Sequence, residues 1–239
     1  MGLKPEDTVL IHSSMKSIGQ VDGGADAVLE ALEEYFAPGL LVFPALTCNT
    51  VTRENPLFSE KETPGCIGLL PEMFRKRPRT QRSLHPSHSL CAAGREAKDF
   101  LAGHENFDSP AHRDSPWGKL YDRDAYILFI GTGISCNTFL HSVEEWLPVP
   151  GMLTEEKWPL VIETADGRRL PCPSRRHVGA HSRYYALMEQ PFRSGKALTD
   201  GRFGDAHVHI LRARPAGDIT LEQLRHIPLF FTQEYQEKC

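Results

Sequence analysis

The sequence predicts an α/β fold: a central, mainly parallel sheet flanked by helices, with a small hairpin-containing lobe in the C-terminal half. Three observations carry this. Residues 8–44 read strand, helix, strand, the pattern of a βαβ unit. "AYILFIGTG" (125–133) is an apolar run that ends in glycines and passes at once into helical spacing. No repeat or low-complexity linker divides the 239 residues, so one domain spanning 1–239 is expected, with a lobe near 150–175.

Each element has its own signal. "TVLIH" (8–12) and "LLVFP" (40–44) are apolar runs of strand length. Between them, apolar residues at 25, 28, 29, 32 and 36 have helical spacing, with Asp22 as the expected N-cap and Gly39 just past the end. Residues 45–65 are polar and turn-rich and read as a covering loop. "IGLLPEMFRKR" (67–77) reads as a short helix, because Pro71 fits only near its first turn. "REAKDFLAGHE" (95–105) reads as helix and 106–118 as loop. "WPLVIETADGRRLPC" (158–172) predicts a hairpin closed by Asp166-Gly167 in a type I′ turn. "SRYYALMEQ" predicts helix and "AHVHILRA" strand, and Thr220/Gln223 predicts a capping box opening the last helix.

Composition excludes several functions. With a formal charge of -4 there is no general electrostatic footprint for nucleic acid. No apolar run approaches the roughly 18 residues of a membrane span, and the start lacks a secretory pattern. Gly2 does not make a myristoylation site, because position 6 is Glu. Cys48, Cys66, Cys91, Cys136, Cys172 and Cys239 include no C-x-x-C pair, so reduced thiols in a cytoplasmic protein are expected.

Histidine is abundant, at 11 residues. In "CNTFLHSVEEW" (136–146), helical spacing sets Phe139, Leu140, Val143 and Trp146 on one face and Thr138, His141, Glu144 and Glu145 opposite. Asn137 is the expected N-cap. A carboxylate beside His141 would fix its tautomer and leave the other ring nitrogen free to take a proton. The competing reading is a solvated polar face. "IHSSMKSIGQVDGG" offers hydroxyls and glycines before a helix, which suits an anion, but it is neither a Walker loop nor G-x-G-x-x-G. His85 and His88 in "RSLHPSHS" fit metal ligands or a substrate contact. "HVH" (207–209) puts two histidines on one strand face, which also fits a metal. Neither pair has cysteine or carboxylate partners at recognisable spacing, so no metal is expected. No G-x-S-x-G marks a serine nucleophile.

Taken in order, "VLIHSSMKSIGQVDGGADAVLEAL", "GLLVFPAL", "RSLHPSHSLCAAG", "DSPWGKL" and "NTFLHSVEE" resemble the aminoglycoside 3-N-acetyltransferase family of acetyl-CoA-dependent, non-GNAT enzymes. The resemblance is close over residues 5–147 and looser beyond. It implies His141 as general base, Glu144 as its partner in H-x-x-E, and Thr138 at the acetyl group or its oxyanion. It also implies a coenzyme-binding edge of Ser13, Ser14, Gly23 and Gly24, with Ser115, Trp117 and Gly118 lining the same cleft. His85 and Glu145 are the expected substrate contacts. The implied reaction is direct acetyl transfer from acetyl-CoA to a small-molecule amine, by default the 3-amino group of an aminoglycoside, in a monomer or homodimer. The departure lies in "PSRRHVGAHSRYY" (173–185), which is basic where a polycationic substrate calls for carboxylates. Those would come from Glu54, Glu144, Glu145 or Asp205, or else the amine is not an antibiotic. Outside this class stand a metal-dependent hydrolase and a catalytically silent acyl-CoA-binding protein.

Overall fold

The computed structural model describes residues 1–237, and Cys239 lies outside the described residues. Its strands are β1 (Thr8–Ser13), β2 (Leu40–Pro44), β3 (Leu57–Ser59), β4 (Gln81–Arg82), β5 (Leu90–Gly94), β6 (Tyr126–Ile130), β7 (Val161–Glu163), β8 (Arg169–Pro171), β9 (Leu198–Phe203) and β10 (Ala206–Arg212). The helices are α1 (Met15–Ile18), α2 (Gly24–Tyr35), α3 (Leu69–Arg75), α4 (Ala97–Leu101), α5 (Pro116–Asp122), α6 (Phe139–Glu145), α7 (Glu189–Ser194), α8 (Ala213–His226) and α9 (Gln233–Gln236). No helix among the described residues is long and apolar enough to cross a membrane.

Seven strands form one sheet in the order β4-β5-β2-β1-β6-β10-β9. β1 runs parallel to β2 and β6. β5 and β10 oppose their inner neighbours, and β4 and β9 oppose them in turn. Five of the seven strands therefore point the same way as β1.

The central strands are buried on both faces, which is why they read as continuous apolar runs. Their side chains alternate between two cores. Val9, Ile11, Leu41 and Phe43 meet Val28, Leu29 and Leu32 of α2 and Phe74 of α3. On the other face Leu10, Val42, Ile127 and Phe129 meet Trp117, Phe139, Leu140 and Val143. A three-stranded sheet, β3-β7-β8, stands apart, with Val51, Phe58, Leu160, Ile162 and Cys172 as its own small core.

Several local expectations are corrected. α2 is capped by Gly23 in the left-handed region (φ +80°), not by Asp22. Asn137 does not cap α6. It follows a 3₁₀ turn (Ile134–Cys136), and its side chain makes no cap bond. Thr220 opens no helix, because α8 begins at Ala213 with Pro215 in its first turn, and the Thr220 hydroxyl donates to Ala216 O at 2.8 Å. The β7–β8 hairpin exists, but only Gly167 (φ +82°) is left-handed, whereas a type I′ turn needs Asp166 there too. Gly167 N donates to Thr164 O (2.9 Å), and Thr164 N donates to Arg168 O (2.9 Å), so a type I turn leads into the left-handed glycine. The helix expected over 182–190 is there in two parts, a 3₁₀ helix (His181–Met188) that runs into α7.

Candidate active site

The cleft opens at the carboxyl ends of the parallel strands, where α/β sheets place their ligands. β1 and β6 end in register at Ser13 and Ile130. The chain leaves β6 through Gly131 (φ +64°), where a Cβ would meet Ser17 Cβ at 2.2 Å, so only glycine fits. The following turn and α6 form one wall of a 460 Å³ cleft that includes Thr132, Asn137, Thr138 and His141. His12, Ser13, His88, His177 and Tyr185 also line it.

His141 is linked to Glu144 through a third residue. The Tyr185 hydroxyl is 2.6 Å from His141 Nδ1 and also hydrogen-bonds Glu144 Oε2, while Nδ1 itself is 3.6 Å from that oxygen. Burial, reinforced by Glu144, pushes the Tyr185 phenol well above its ordinary value, so it keeps its proton and donates it to the carboxylate. Its oxygen then accepts from His141 Nδ1–H, and Nε2 is left as the proton acceptor. The second Glu144 oxygen is 2.7 Å from His181 Nδ1. Burial alone would raise the Glu144 carboxyl, but His141 and His181 outweigh it and hold it at about 2. His141 is itself lowered, first by burial and then by His177, against the opposing pull of Glu144.

Behind this relay lies a second one. The His177 ring stacks on His141 at 4.5 Å and 19°. Its Nε2 is 2.6 Å from Glu145 Oε1, and its Nδ1 is 3.1 Å from His88 Nε2. Glu145 also accepts from the Ala111 N–H at 2.8 Å and the Ser109 hydroxyl at 2.5 Å.

This geometry relocates several expected site residues. Glu145 is 2% exposed and fully engaged behind His177, so it is not a wall of the cleft. His85 is also buried away from the cleft; its Nδ1 accepts from Ser87 N (3.3 Å) and His88 N (3.2 Å), which shapes the turn that presents His88. Ser115, Trp117 and Gly118 are buried and are not among the residues lining this cleft. Ser115 caps α5, and a Cβ at Gly118 would meet Arg113 O at 1.6 Å. Trp117 Nε1 donates to His88 O at 2.8 Å, so this segment supports the cleft from the core. Gly23 and Gly24 sit at the α2 terminus, outside the lining; Ser14 accepts from the Ser17 hydroxyl at 2.9 Å. Ser13, Thr138 and His141 do line the cleft.

Sequence reasoning missed His12, His177, His181 and Tyr185, and it assigned Asn137 a capping role. The segment 173–185 drew notice only for its charge, and nothing in its spacing ties it to α6. Five buried polar atoms lining the cleft have no hydrogen-bond partner in the protein: His12 Nε2, Ser13 Oγ, Thr132 Oγ1, and Asn137 Nδ2 and Oδ1. Leaving such atoms unpaired costs about 1–3 kcal/mol each. Among the described residues, those lining this cleft include no carboxylate; Glu54, Glu144, Glu145 and Asp205 all stand outside it.

A histidine–tyrosine–carboxylate relay thus lies at the carboxyl edge of an α/β sheet. The profile of the family described as Aminoglycoside 3-N-acetyltransferase matches residues 10–225. The "SPbeta prophage-derived aminoglycoside N(3')-acetyltransferase-like protein YokD" of Bacillus subtilis (strain 168) is 28% identical over 91% of this chain and 86% of its own. "Aminoglycoside N(3)-acetyltransferase IV" of Salmonella sp is 27% identical over 97% and 85%. The crystal structure of YokD from Bacillus subtilis superimposes with a TM-score of 0.81 at 28% identity, covering 93% of this chain and 88% of that one. The chain thus belongs to the aminoglycoside 3-N-acetyltransferase family, acetyl-CoA-dependent N-acetyltransferases.

Proposed function

We propose that the protein moves the acetyl group of acetyl-CoA directly to a primary amine, by default the 3-amino group of an aminoglycoside, with His141 as general base. The relay through Tyr185 to Glu144 carries this reading, because it leaves His141 Nε2 unprotonated at the cleft. The amine nitrogen attacks the thioester carbon and gives a proton to Nε2. Glu144 stabilises the imidazolium, as in other base–orienter pairs. Thr138, one turn before His141 and lining the cleft, stands where a hydroxyl can meet the oxyanion. When the tetrahedral adduct collapses, the C–S bond breaks and the thiolate takes the proton back from His141. The unpaired atoms of Asn137, Ser13, Thr132 and His12 suit the amides of the pantetheine arm, since Asn137 offers both a donor and an acceptor.

One observation favours a second reading, an amine other than an antibiotic. The cleft lining carries no carboxylate, and Arg175, Arg176 and Arg183 lie in the adjoining segment. A thiol-release assay with acetyl-CoA across aminoglycosides and singly charged amines tests both. Release with aminoglycosides supports the default acceptor, release only with other amines supports the second, and none with any amine overturns transferase activity. His141→Ala should abolish turnover while coenzyme binding is nearly kept. Loss of both in a folded variant would sink the base assignment.

A further inference from the structure

The pair of histidines in "HVH" lacked a third ligand in the sequence, and the sheet supplies one. β9 and β10 pair antiparallel with Asp200 directly opposite His209, and His207 lies two residues along the same face. Asp200 Oδ1 is 2.9 Å from His209 Nδ1 and 3.1 Å from His207 Nε2, and all three atoms lie within 4.8 Å of one another. Ligands about 2.0–2.1 Å from a tetrahedral zinc stand about 3.3 Å apart, so a small shift seats an ion.

We propose that Asp200, His207 and His209 form a divalent transition-metal site on the exposed face of the β9–β10 ladder. Two imidazoles and one carboxylate select Zn²⁺, Co²⁺ or Ni²⁺ over Mg²⁺ or Ca²⁺. His207 is 57% exposed and Asp200 41%, which gives an ion access and leaves room for water as a fourth ligand. None of the three lines the catalytic cleft. The site has a resident competitor. Arg193 Nη1 is 2.6 Å from Asp200 Oδ2, and its Nη2 is 3.1 Å from Oδ1 and 3.4 Å from His209 Nδ1. The same guanidinium holds Glu189 Oε1 at 3.0 Å, so it has a partner to keep when a metal takes Oδ1.

The test is calorimetric titration of chelator-treated, full-length protein with ZnCl₂, together with Co²⁺ visible absorption. The cleft histidines are a second place for a metal, so His207→Gln/His209→Gln is compared with His177→Gln. One zinc equivalent and the tetrahedral cobalt bands should vanish in the first variant and persist in the second. Arg193→Met, which removes a like charge beside the ion, should tighten zinc roughly tenfold. Binding unchanged in the double variant, lost only in His177→Gln, or indifferent to Arg193→Met overturns the site.

Discussion

The Tyr185 hydroxyl stands between His141 and Glu144, 2.6 Å from one and hydrogen-bonded to the other, although the two are only three residues apart on α6. The H-x-x-E spacing brings base and carboxylate to 3.6 Å, a contact that lacks a hydrogen bond. The phenol from a separate segment completes the connection.

Tyr185→Phe keeps the ring packing and removes that link. Turnover should fall roughly 10- to 100-fold, the scale of a mis-set catalytic group, while KM for acetyl-CoA moves little. A variant as fast as the parent would mean that His141 and Glu144 act without the phenol.

The two adjacent glutamates should separate in their phenotypes. Glu145→Ala strands a histidine, a hydroxyl and a backbone N–H in a dry site, and urea unfolding should record a loss of about 3–5 kcal/mol. Glu144→Gln should chiefly lower kcat. A reversal of these roles would contradict the division between relay and scaffold.

This division shows where the sequence stops being informative. The apolar runs of β1, β2 and β6 announce themselves because both faces of a central strand are buried. β5 ("LCAAG") is too small-residued to announce itself, and β9 ("LTDGRF") is an exposed edge whose burial alternates weakly. The α6 face was readable as a stripe of Thr138, His141, Glu144 and Glu145, but not as a buried one. Burial there depends on His177, His181 and Tyr185 arriving from about 40 residues away along the chain. Asn137 shows the reverse: its position fits a cap, and only the fold shows that it lines the cleft with its amide unpaired.

The pH profile should carry the mark of His177. Burial first, then the neighbouring imidazole, lowers His141, so its neutral, proton-accepting form persists below the ordinary 6.5. The acid limb of kcat/KM should therefore lie below pH 6.5, with activity lost as pH falls through the lowered value. In His177→Gln the limb should move up toward 6.5. An unshifted limb in that variant would remove His177 from the electrostatics of the base.

Buried neutral histidines should also set acid stability. Burial lowers His12 to about 4 and His104 to about 3, and holds His85 and His88 well below 6.5. Below pH 6.5 the unfolded chain takes up protons that the native chain refuses. Native stability should thus be full above pH 6.5 and fall as pH drops toward 4, by up to about 1.4 kcal/mol per unit per histidine. Urea midpoints that stay flat from pH 6.5 to 4.5 would refute this.

Cys48 lines the cleft and donates to Ser87 O at 3.9 Å, and it interacts electrostatically with the exposed Cys66. The neighbouring thiol lowers Cys66 to about 6, while Cys66 and burial push Cys48 up. Near pH 7 Cys66 is then mostly thiolate, the nucleophilic form, and Cys48 stays a thiol. Brief iodoacetamide treatment at pH 7 followed by peptide mapping should label Cys66 first, ahead of Cys136, which is also exposed, with a rate that climbs through pH 6. Cys48→Ala removes the neighbouring thiol, so the Cys66 rate curve should slide up toward the ordinary thiol value of about 8.5. Acetyl-CoA in the cleft should slow the labelling if the coenzyme runs past Cys48. Preferential labelling of Cys136, or a rate curve indifferent to Cys48→Ala, would show that the two thiols do not share a proton.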